Sequence, residues 1–436
     1  MSETDTDAAD QFDDRVAAGR LDESRPGLWR RVGRLPRNVL AISLVSLFND
    51  ASSEIIYPFL PLFLTLTLGA SPFAVGLIEG GAESVSALLK LFSGYFSDRR
   101  GRRKGLVVFG YGLAGVMRPL LAFASTWPQV LFIRLADRVG KGVRSAPRDA
   151  LIADSARPAE RGLAFGFHRA MDHAGAVVGP LAGYFILALV AADSSRPTAG
   201  DYRTLFLLAS VPALIAVLVA AFFVRESKRE PRAGGPAAAA PAPLSLRGFD
   251  SNFKRFLVIL ALFTLSNSSD AFLLLRAQQA GVSAAAVPLL WAALHVCKVA
   301  SSLVGGDLSD RLGRKTLIVS GWLLYAAVYT GFAFVSSAAG AWALFLIYGI
   351  YFGLVEGTEK ALVADLVRPE QRGTAYGLYN LAFSVSVFPA SLLMGALWQW
   401  RGPRAAFAVS ALLGSASAAL LALTVRAGHA PRHSRA

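Results

Sequence analysis

The sequence predicts an all-α polytopic membrane protein with twelve transmembrane helices in two six-helix repeats. Three observations support this fold class: the apolar content, the number of apolar runs and an internal duplication. Apolar residues make up 54% of the 436-residue chain, about 235 residues, whereas charged residues make up only 17%. Twelve spans of about 20 residues each require about 240 residues.

Apolar runs, each ended by Gly, Pro or clustered charge, follow one another along the chain. Their approximate bounds are 38–66, 73–97, 105–125, 128–152, 162–192, 204–224, 254–275, 284–305, 316–336, 341–364, 373–400 and 404–425. The segment 225–253, rich in Arg, Ala and Pro, separates the sixth run from the seventh. It predicts a cytoplasmic linker between an N-terminal six-helix bundle (38–224) and a C-terminal six-helix bundle (254–425). The polar segments 1–37 and 426–436 are expected to be cytoplasmic tails, the first of them disordered.

The duplication is visible in matching segments at a nearly constant offset. Residues 94–104 (GYFSDRRGRRK) return as 306–315 (GDLSDRLGRK), 212 positions later, and 158–166 (PAERGLAFG) return as 369–377 (PEQRGTAYG), 211 positions later. Parallel repeats around an axis along the membrane normal leave a central cleft between the two halves. This arrangement is typical of transporters that work by alternating access.

Basic residues are distributed unevenly between the turns. The formal net charge is +14 (44 minus 30), and the turns at 98–104 and 310–315 are basic, whereas those at 69–72, 125–128 and 336–340 carry no charge. The positive-inside rule therefore predicts that both termini are cytoplasmic. The excess of Arg and Ala over Lys is typical of a GC-rich bacterial genome, and on that ground the cell (cytoplasmic/inner) membrane is the expected location. A nucleic-acid partner is not expected, because no soluble basic domain is present.

The sequence lacks the signatures of enzymes. The one cysteine, Cys297, cannot form an internal disulfide, and no Cys/His metal spacing, P-loop or G-x-S-x-G motif is present. We therefore expect neither an enzyme nor a protein with a metal or cofactor. An ion gradient is the expected energy source.

The two basic turns share the pattern G-x-x-x-D-R-x-G-R-[RK], in which Gly permits a tight turn and Arg holds the cytoplasmic face. Its members are Gly94, Asp98, Arg99, Gly101, Arg102 and Arg103 in the first copy and Gly306, Asp310, Arg311, Gly313, Arg314 and Lys315 in the second. With this motif the chain resembles the major facilitator superfamily over 38–425. The resemblance implies a secondary transporter in which these residues form a cytoplasmic gate.

The fifth run carries the pattern G-x-x-x-G-P-x-x-G at Gly175, Gly179, Pro180 and Gly183. Small residues at this spacing let helices pack backbone to backbone, and Pro kinks a helix. The pattern also resembles the hallmark of the drug:proton antiporter branch of the superfamily, which implies export.

Several ionisable residues lie inside predicted spans, where facing lipid costs about 2.5–3.5 kcal/mol each, so they are expected to face the interior. Burial raises the pKa of a carboxyl group and a neighbouring Arg lowers it, so an alternating cleft is able to switch a carboxyl between the two conditions. Salt bridges within the bundle are the competing interpretation. The candidates for proton coupling are Asp50, Glu54, Glu83, Asp137, Arg138 and Asp172.

The second half carries fewer charges, which suggests that it shapes an amphipathic substrate site or, alternatively, that its aromatic residues only form core. The expected substrate cleft comprises Arg134, Asn267, Asp270, Trp291, Tyr376, Tyr379 and Asn380.

The sequence thus favours a proton-coupled exporter of a small organic molecule, acting as a monomer whose partners are its substrate, protons and the lipid bilayer. One alternative is a symporter that imports a metabolite or an organic anion, with Arg134, Arg138 and Lys141 binding the anion. A second is a membrane receptor or scaffold that does not transport.

Overall fold

A computed structural model describes residues 33–100, 103–156, 161–194, 196–226, 246–368 and 371–426. Most of the expected N-terminal tail, the centre of the expected linker and nearly all of the C-terminal tail lie outside these ranges. Within the described ranges the regular structure is helical, which confirms the predicted all-α fold class.

Twelve helices cross the bundle in the part of the chain that the structure describes. They are α1 (Arg37–Ile56), α2 (Pro72–Arg100), α3 (Lys104–Leu120), α4 (Trp127–Ser155), α5 (Arg161–Val190), α6 (Ala199–Leu208 with Ser210–Phe222), α7 (Ser251–Ser266 with Ala271–Gln279), α8 (Val287–Leu312), α9 (Arg314–Phe334), α10 (Ala338–Leu366), and Arg372–Thr424, which Gly402 divides into α11 (372–401) and α12 (403–424).

α6, α7 and α10 begin at least three residues earlier than the apolar runs suggest, and local contacts give the reason for α6 and α7. α6 begins at Ala199 rather than near 204, because Thr198 and Asp201 form a reciprocal capping box at its N-terminus. α7 begins at Ser251 rather than 254, after Asp250 at the N-cap position. Phe249 is buried there and packs on Phe253, with ring centroids 4.9 Å apart.

Among the described residues, nine helical stretches are long and apolar enough to cross a membrane by length and composition. The last of them, Thr374–Thr424, covers both α11 and α12. The other two helices, α2 and α4, are not among the nine because charged residues lower their hydropathy. Such helices must turn their charges toward the protein interior.

The bundle has two distinct ends. At one end, which we call the basic end, the start of α1 meets the ends of α4 and α6, since Asn38 donates to Ser155 Oγ and to the Arg225 carbonyl. In the second half Asn252, beside the start of α7, bonds the Arg426 backbone at the same end. The other end, which contains the starts of α2 and α8 and the turn at Gly402, is called the distal end.

The two halves are joined near the distal end. A Cβ placed on Gly80 of α2 would lie 2.8 Å from Ser391 Cβ of α11, and one on Gly395 would lie 2.6 Å from the Pro72 carbonyl oxygen. The larger buried core contains residues of both halves, whereas the smaller core toward the basic end consists of residues of the first half only, from Leu35 to Val224.

Candidate functional site

Two acidic side chains on α1 lie at its contact with α5. A Cβ on Gly175 would lie 3.0 Å from Asp50 Cβ, and one on Gly179 would lie 2.7 Å from Glu54 Cβ. Only glycine permits this approach, so the G-x-x-x-G-P-x-x-G pattern brings α5 directly against the acidic face of α1. The close-packing role expected of this pattern is therefore present, and it operates beside two of the candidate proton carriers.

The described hydrogen-bond partners of these two carboxylates are neutral donors. Asn49 Nδ2 donates to Asp50 Oδ1 at 2.8 Å, and Trp291 Nε1 donates to Glu54 Oε2 at 2.7 Å. The second bond links α1 of the first half to α8 of the second half. Trp291 is only 4% exposed, and its ring lies 5.0 Å from that of Tyr57.

Carboxylates on α2 are instead paired with arginines on α4. Arg134 Nη2 donates to both oxygens of Glu79, at 3.0 and 3.1 Å, and both side chains are buried. Arg138 Nη2 lies 3.3 Å from Glu83 Oε1, but the Glu83 side chain is 44% exposed. Arg134, expected in the substrate cleft, therefore holds α4 to α2.

Asp137 lies among three arginines. Its carboxylate oxygens are 3.5 Å from Arg118 Nε, 4.0 Å from Arg134 Nη1 and 3.9 Å from Arg138 Nη1. Arg118 also donates to the backbone carbonyl and the side-chain oxygen of Asn49, at 2.9 Å each. The network therefore runs from α4 through α3 to the residue that precedes Asp50.

Asp172 has partners on its own helix. His168 Nε2 lies 3.6 Å from Asp172 Oδ1, and Arg169 Nη1 lies 3.5 Å from Asp172 Oδ2. His168 is 1% exposed, whereas the Arg169 side chain is largely exposed. Asp172 is thus a half-buried acid that precedes the Gly175 contact by less than one turn.

The second half contains a polar cluster at the interruption of α7. Tyr348 donates to Asp270 Oδ1 at 2.8 Å and to Asn267 Oδ1 at 3.4 Å. Lys298 Nζ lies 3.7 Å from Asp270 Oδ2, 3.7 Å above the Phe352 ring and 5.6 Å from the Trp291 ring. This cluster brings together three of the expected cleft residues, Asn267, Asp270 and Trp291.

Sequence reasoning missed Tyr348, Lys298 and Phe352. Lys298 carried a usable signal, because it is a charge inside an apolar run, two turns after Trp291. Tyr348 and Phe352 carried none, since an aromatic residue in an apolar helix is ordinary core.

The other expected cleft residues lie on α11. Tyr379 donates to Glu359 Oε2 at 2.8 Å, and Trp322 Nε1 donates to Glu359 Oε1 at 3.0 Å, all three being buried. Tyr376 donates to the Lys360 carbonyl at 3.2 Å, and Asn380 is exposed. The structure therefore places Tyr379 in a second polar cluster, centred on Glu359.

The gate motif lies partly outside the described residues. Gly101 and Arg102 are not described, and neither are the side chains of residues 94–100, 306–307 and 309–311. Arg103 pairs with Asp154, and Glu226 accepts from the backbone N–H groups of Arg103 and Lys104.

The second copy of this turn repeats the contact. Arg314 lies 2.5 Å from Asp365 and also donates to the Ala361 carbonyl, and Gly313 has a φ of +86°. The pairs Arg103–Asp154 and Arg314–Asp365 are 211 positions apart, although the motif, at its offset of 212, matches Arg314 with Arg102. The duplicated sequence thus keeps the same ion pair at the basic end of each half.

A twelve-helix bundle of two related halves, with ionisable groups held between them, defines a polytopic membrane transporter. The chain belongs to the major facilitator superfamily, because the model of the family described as Major Facilitator Superfamily matches residues 42–391 and 277–436.

Relatives extend over almost the whole chain. An uncharacterised MFS-type transporter of Methanocaldococcus jannaschii is 34% identical over 402 residues, 89% of this chain and 94% of the relative. A multidrug resistance protein, MdtG, of Dickeya zeae is 26% identical over 326 residues, 73% of this chain and 75% of the relative.

Solved structures share the fold at low identity. A D-xylose–proton symporter superimposes with a TM-score of 0.70 at 18% identity, over 90% of this chain and 98% of the symporter. A bacterial homologue of the human lysosomal transporter Spinster, in an inward-facing and occupied conformation, gives a TM-score of 0.68 at 18% identity, over 88% and 94% of the two chains. At this level of identity the likeness concerns the fold alone.

Proposed function

We propose that this transporter is a proton-coupled exporter of small organic molecules that works by alternating access as a monomer. The observation that carries the proposal is the hydrogen bond from Trp291 Nε1 to Glu54 Oε2, which joins the two halves at 2.7 Å. Because a titratable group lies in this contact, its protonation and the relative position of the two halves depend on each other.

The physical link is the strength of that bond. An ionised carboxylate accepts a charge-assisted hydrogen bond that is about twice as strong as a neutral one. Protonation of Glu54 weakens its bond to Trp291 and so favours separation of α1 from α8. Asp50, one turn away on the same face and hydrogen-bonded to a neutral amide, is the second carrier. We propose that the electrostatic potential at these two carboxylates is set by the nearby charges of Glu83, Arg138 and Asp172.

The substrate is proposed to bind in the cleft between these acids and the Asp270 cluster. Trp291 belongs to both sites, because its N–H faces Glu54 while the Lys298 ammonium lies 5.6 Å from its ring. A substrate that binds against the Trp291 ring therefore affects the Trp291–Glu54 hydrogen bond, which protonation of Glu54 also affects. Tyr376, Tyr379 and Asn380 are proposed to line the cleft further toward the basic end.

Orientation and direction rest on different observations. The basic turns favour a cytoplasmic position for the basic end and both termini, in the cell membrane. The turn residues 98–102 and 310–315 are proposed to gate that end. Export is favoured by the glycine pattern of α5 and by relatives named as multidrug resistance proteins.

The ion pairs favour export over anion uptake. An importer of organic anions requires free cationic groups in the cleft, yet Arg134 and Arg138 are paired with Glu79 and Glu83.

The test measures proton movement driven by substrate in proteoliposomes that contain a pH-sensitive dye, with fluorescent amphipathic dyes as substrates. We expect the wild type to move protons opposite to the dye, and Asp50→Asn and Glu54→Gln each to abolish that exchange. Asp201→Asn, which alters the cap of α6 at the distal end, serves as the matched control and should keep it.

Two results would overturn the proposal. Protons moving in the same direction as the substrate would indicate a symporter. The second result is that no dye drives proton movement, although a thermal-unfolding measurement shows that the protein is folded. The protein would then be a carrier coupled to something other than protons, or a protein that does not transport.

A further inference from the structure

A second charged site lies at the distal end of the C-terminal half, and residues of that half alone form its described lining. An open cavity of about 390 Å³ lies there between the ends of α7 and α9 and the turn from α11 to α12. Its lining includes three guanidinium groups, those of Arg276, Arg401 and Arg404, together with the amide of Gln279.

The first of these groups is held in place by backbone carbonyls. Arg276 Nε donates to the Phe332 carbonyl at 2.9 Å, and its Nη2 donates to the Val335 carbonyl at 2.7 Å. These bonds fix the arginine against the end of α9 without neutralising its charge. The cation is therefore pre-positioned at the wall of the cavity.

The turn supplies a helix N-terminus to the same cavity. Gly402 adopts a φ of +82°, which ends α11, and Pro403 follows as the first residue of α12. The first backbone N–H groups of a helix have no partner within the helix and carry its positive dipole end, so they bind anions readily. Gly402 and Pro403 both line the cavity.

The charge of the site is uncompensated. Among the described residues that line the cavity, three are arginines and none is acidic. Other turns at this end, at 69–72, 125–128 and 336–340, carry no charge. Like charges gathered at one cavity repel one another, and an anion placed between them removes that repulsion.

Aromatic residues place the cavity at the level of lipid headgroups. Trp400, which precedes Arg401, is 76% exposed on the protein, and Phe334, which precedes Val335, is 67% exposed. Exposed Trp at the end of a transmembrane helix is typical of the membrane–water interface, where the phosphates of phospholipids lie. Both exposed aromatic residues are adjacent in sequence to residues that line the cavity, Arg401 and Val335.

We propose that this cavity binds the phosphate group of an anionic phospholipid. The guanidinium groups and the N-terminus of α12 hold the phosphate, and the acyl chains lie along Trp400 and Phe334. The proposal does not depend on the direction of transport or on proton coupling.

The test uses the full-length protein in detergent and counts bound phosphatidylglycerol by native mass spectrometry, with thermal unfolding in parallel. The variant is Arg401→Gln with Arg404→Gln, which leaves the anchored Arg276 in place. Two controls accompany it. Arg401→Lys with Arg404→Lys keeps the charge, and Arg203→Ala removes an exposed arginine from the N-terminal half at the same end.

We expect phosphatidylglycerol to raise the unfolding temperature of the wild type and of Arg203→Ala. The glutamine variant should bind the lipid on the order of ten-fold more weakly, because two charge-assisted contacts are lost. The lysine variant should fall between them, since Lys keeps the charge but not the planar fork of donors.

Equal lipid binding by the wild type and the glutamine variant would overturn the proposal. A shift caused by inorganic phosphate but not by phosphatidylglycerol would assign the cavity to a soluble anion and overturn the lipid assignment. If the glutamine variant failed to fold, Arg404→Gln alone would be used with the same criteria.

Discussion

Trp291 belongs to one half of the transporter and its hydrogen-bond acceptor, Glu54, belongs to the other. Trp291→Phe removes the donor and keeps an aromatic ring beside Tyr57. Glu54 is half-buried, and a buried acceptor that loses its donor costs about 1–3 kcal/mol, which is the upper bound here. We expect this variant to unfold at a lower temperature and to lose most of its substrate-driven proton exchange, measured in proteoliposomes. Full exchange with unchanged stability would show that the bond is not part of the coupling.

Asp137 and Glu83 offer a contrast between a buried acid and an exposed one. Asp137 is buried among three arginines, whereas the Glu83 side chain is 44% exposed and pairs with one. Removing one partner of a buried ion network leaves charge uncompensated and costs about 3–5 kcal/mol, whereas a pair whose carboxylate is accessible to water contributes less.

We therefore expect Asp137→Asn to lower stability strongly and Glu83→Gln to change it little, as measured by thermal unfolding of the purified proteins. Such an outcome would give Asp137 a structural role in holding the arginines. If Asp137→Asn were as stable as the wild type yet lacked proton exchange, Asp137 would instead be a proton carrier.

At the same scale, the sequence indicated which residues face inward but not what they contact. The spacing of Asp50 and Glu54 placed both on one face of α1, and that face lies against α5. Trp291, which donates to Glu54, and Arg118, which bonds Asn49 and Asp137, come from helices remote in sequence, and no periodicity within one helix encodes such contacts. The sequence did not identify Tyr348 and Phe352 as site residues, because aromatic side chains occur both in hydrophobic cores and in binding sites.

At the scale of the helices, the glycines of α5 determine how closely it approaches α1. A Cβ at position 179 would lie 2.6 Å from the Ala51 carbonyl oxygen and 2.7 Å from Glu54 Cβ. Gly179→Ala therefore has to push the helices apart, and we expect it to lower both the unfolding temperature and the proton exchange.

Gly112→Ala is the matched control, because a Cβ on Gly112 of α3 meets nothing within 4 Å. In an open helical position Ala is about 0.8–1 kcal/mol more favourable than Gly, so this variant should be at least as stable as the wild type. Equal stability of the two variants would contradict the close-packing role of Gly179.

α2 and α4 are spans that carry several charges. Neither is among the nine stretches that qualify as spans by composition, because both carry the ion pairs of the first half. The apolar runs at 73–97 and 128–152 nevertheless predicted both helices, and the repeat supports them, since α8 and α10 occupy the matching positions and are apolar enough to qualify. The boundary of α7 was less predictable, because it depends on the packing of Phe249 on Phe253.

For the whole molecule, the fold class followed from the sequence but the conformation did not. The number of apolar runs and the internal repeat specify two six-helix halves, and nothing in either pattern states at which end the halves meet. In the structure they meet near the distal end, where Gly80 and Gly395 allow α2 and α11 to pack closely. An alternating-access cycle requires that contact to open.

A cross-link across this contact tests whether it opens during transport. A Cβ on Gly80 would lie 2.8 Å from Ser391 Cβ, and a disulfide needs about 3.5–4.5 Å between its Cβ atoms, so a displacement of about 1 Å suffices. In a Cys297→Ser background, Gly80→Cys with Ser391→Cys should form a disulfide under oxidation. We expect substrate transport in proteoliposomes to fall to background when it forms and to return on reduction. Gly112→Cys with Ser391→Cys pairs an open position on α3 with the same site and should transport under both conditions. Undiminished transport by the cross-linked protein would mean that the halves do not separate at the distal end, and alternating access through this contact would have to be abandoned.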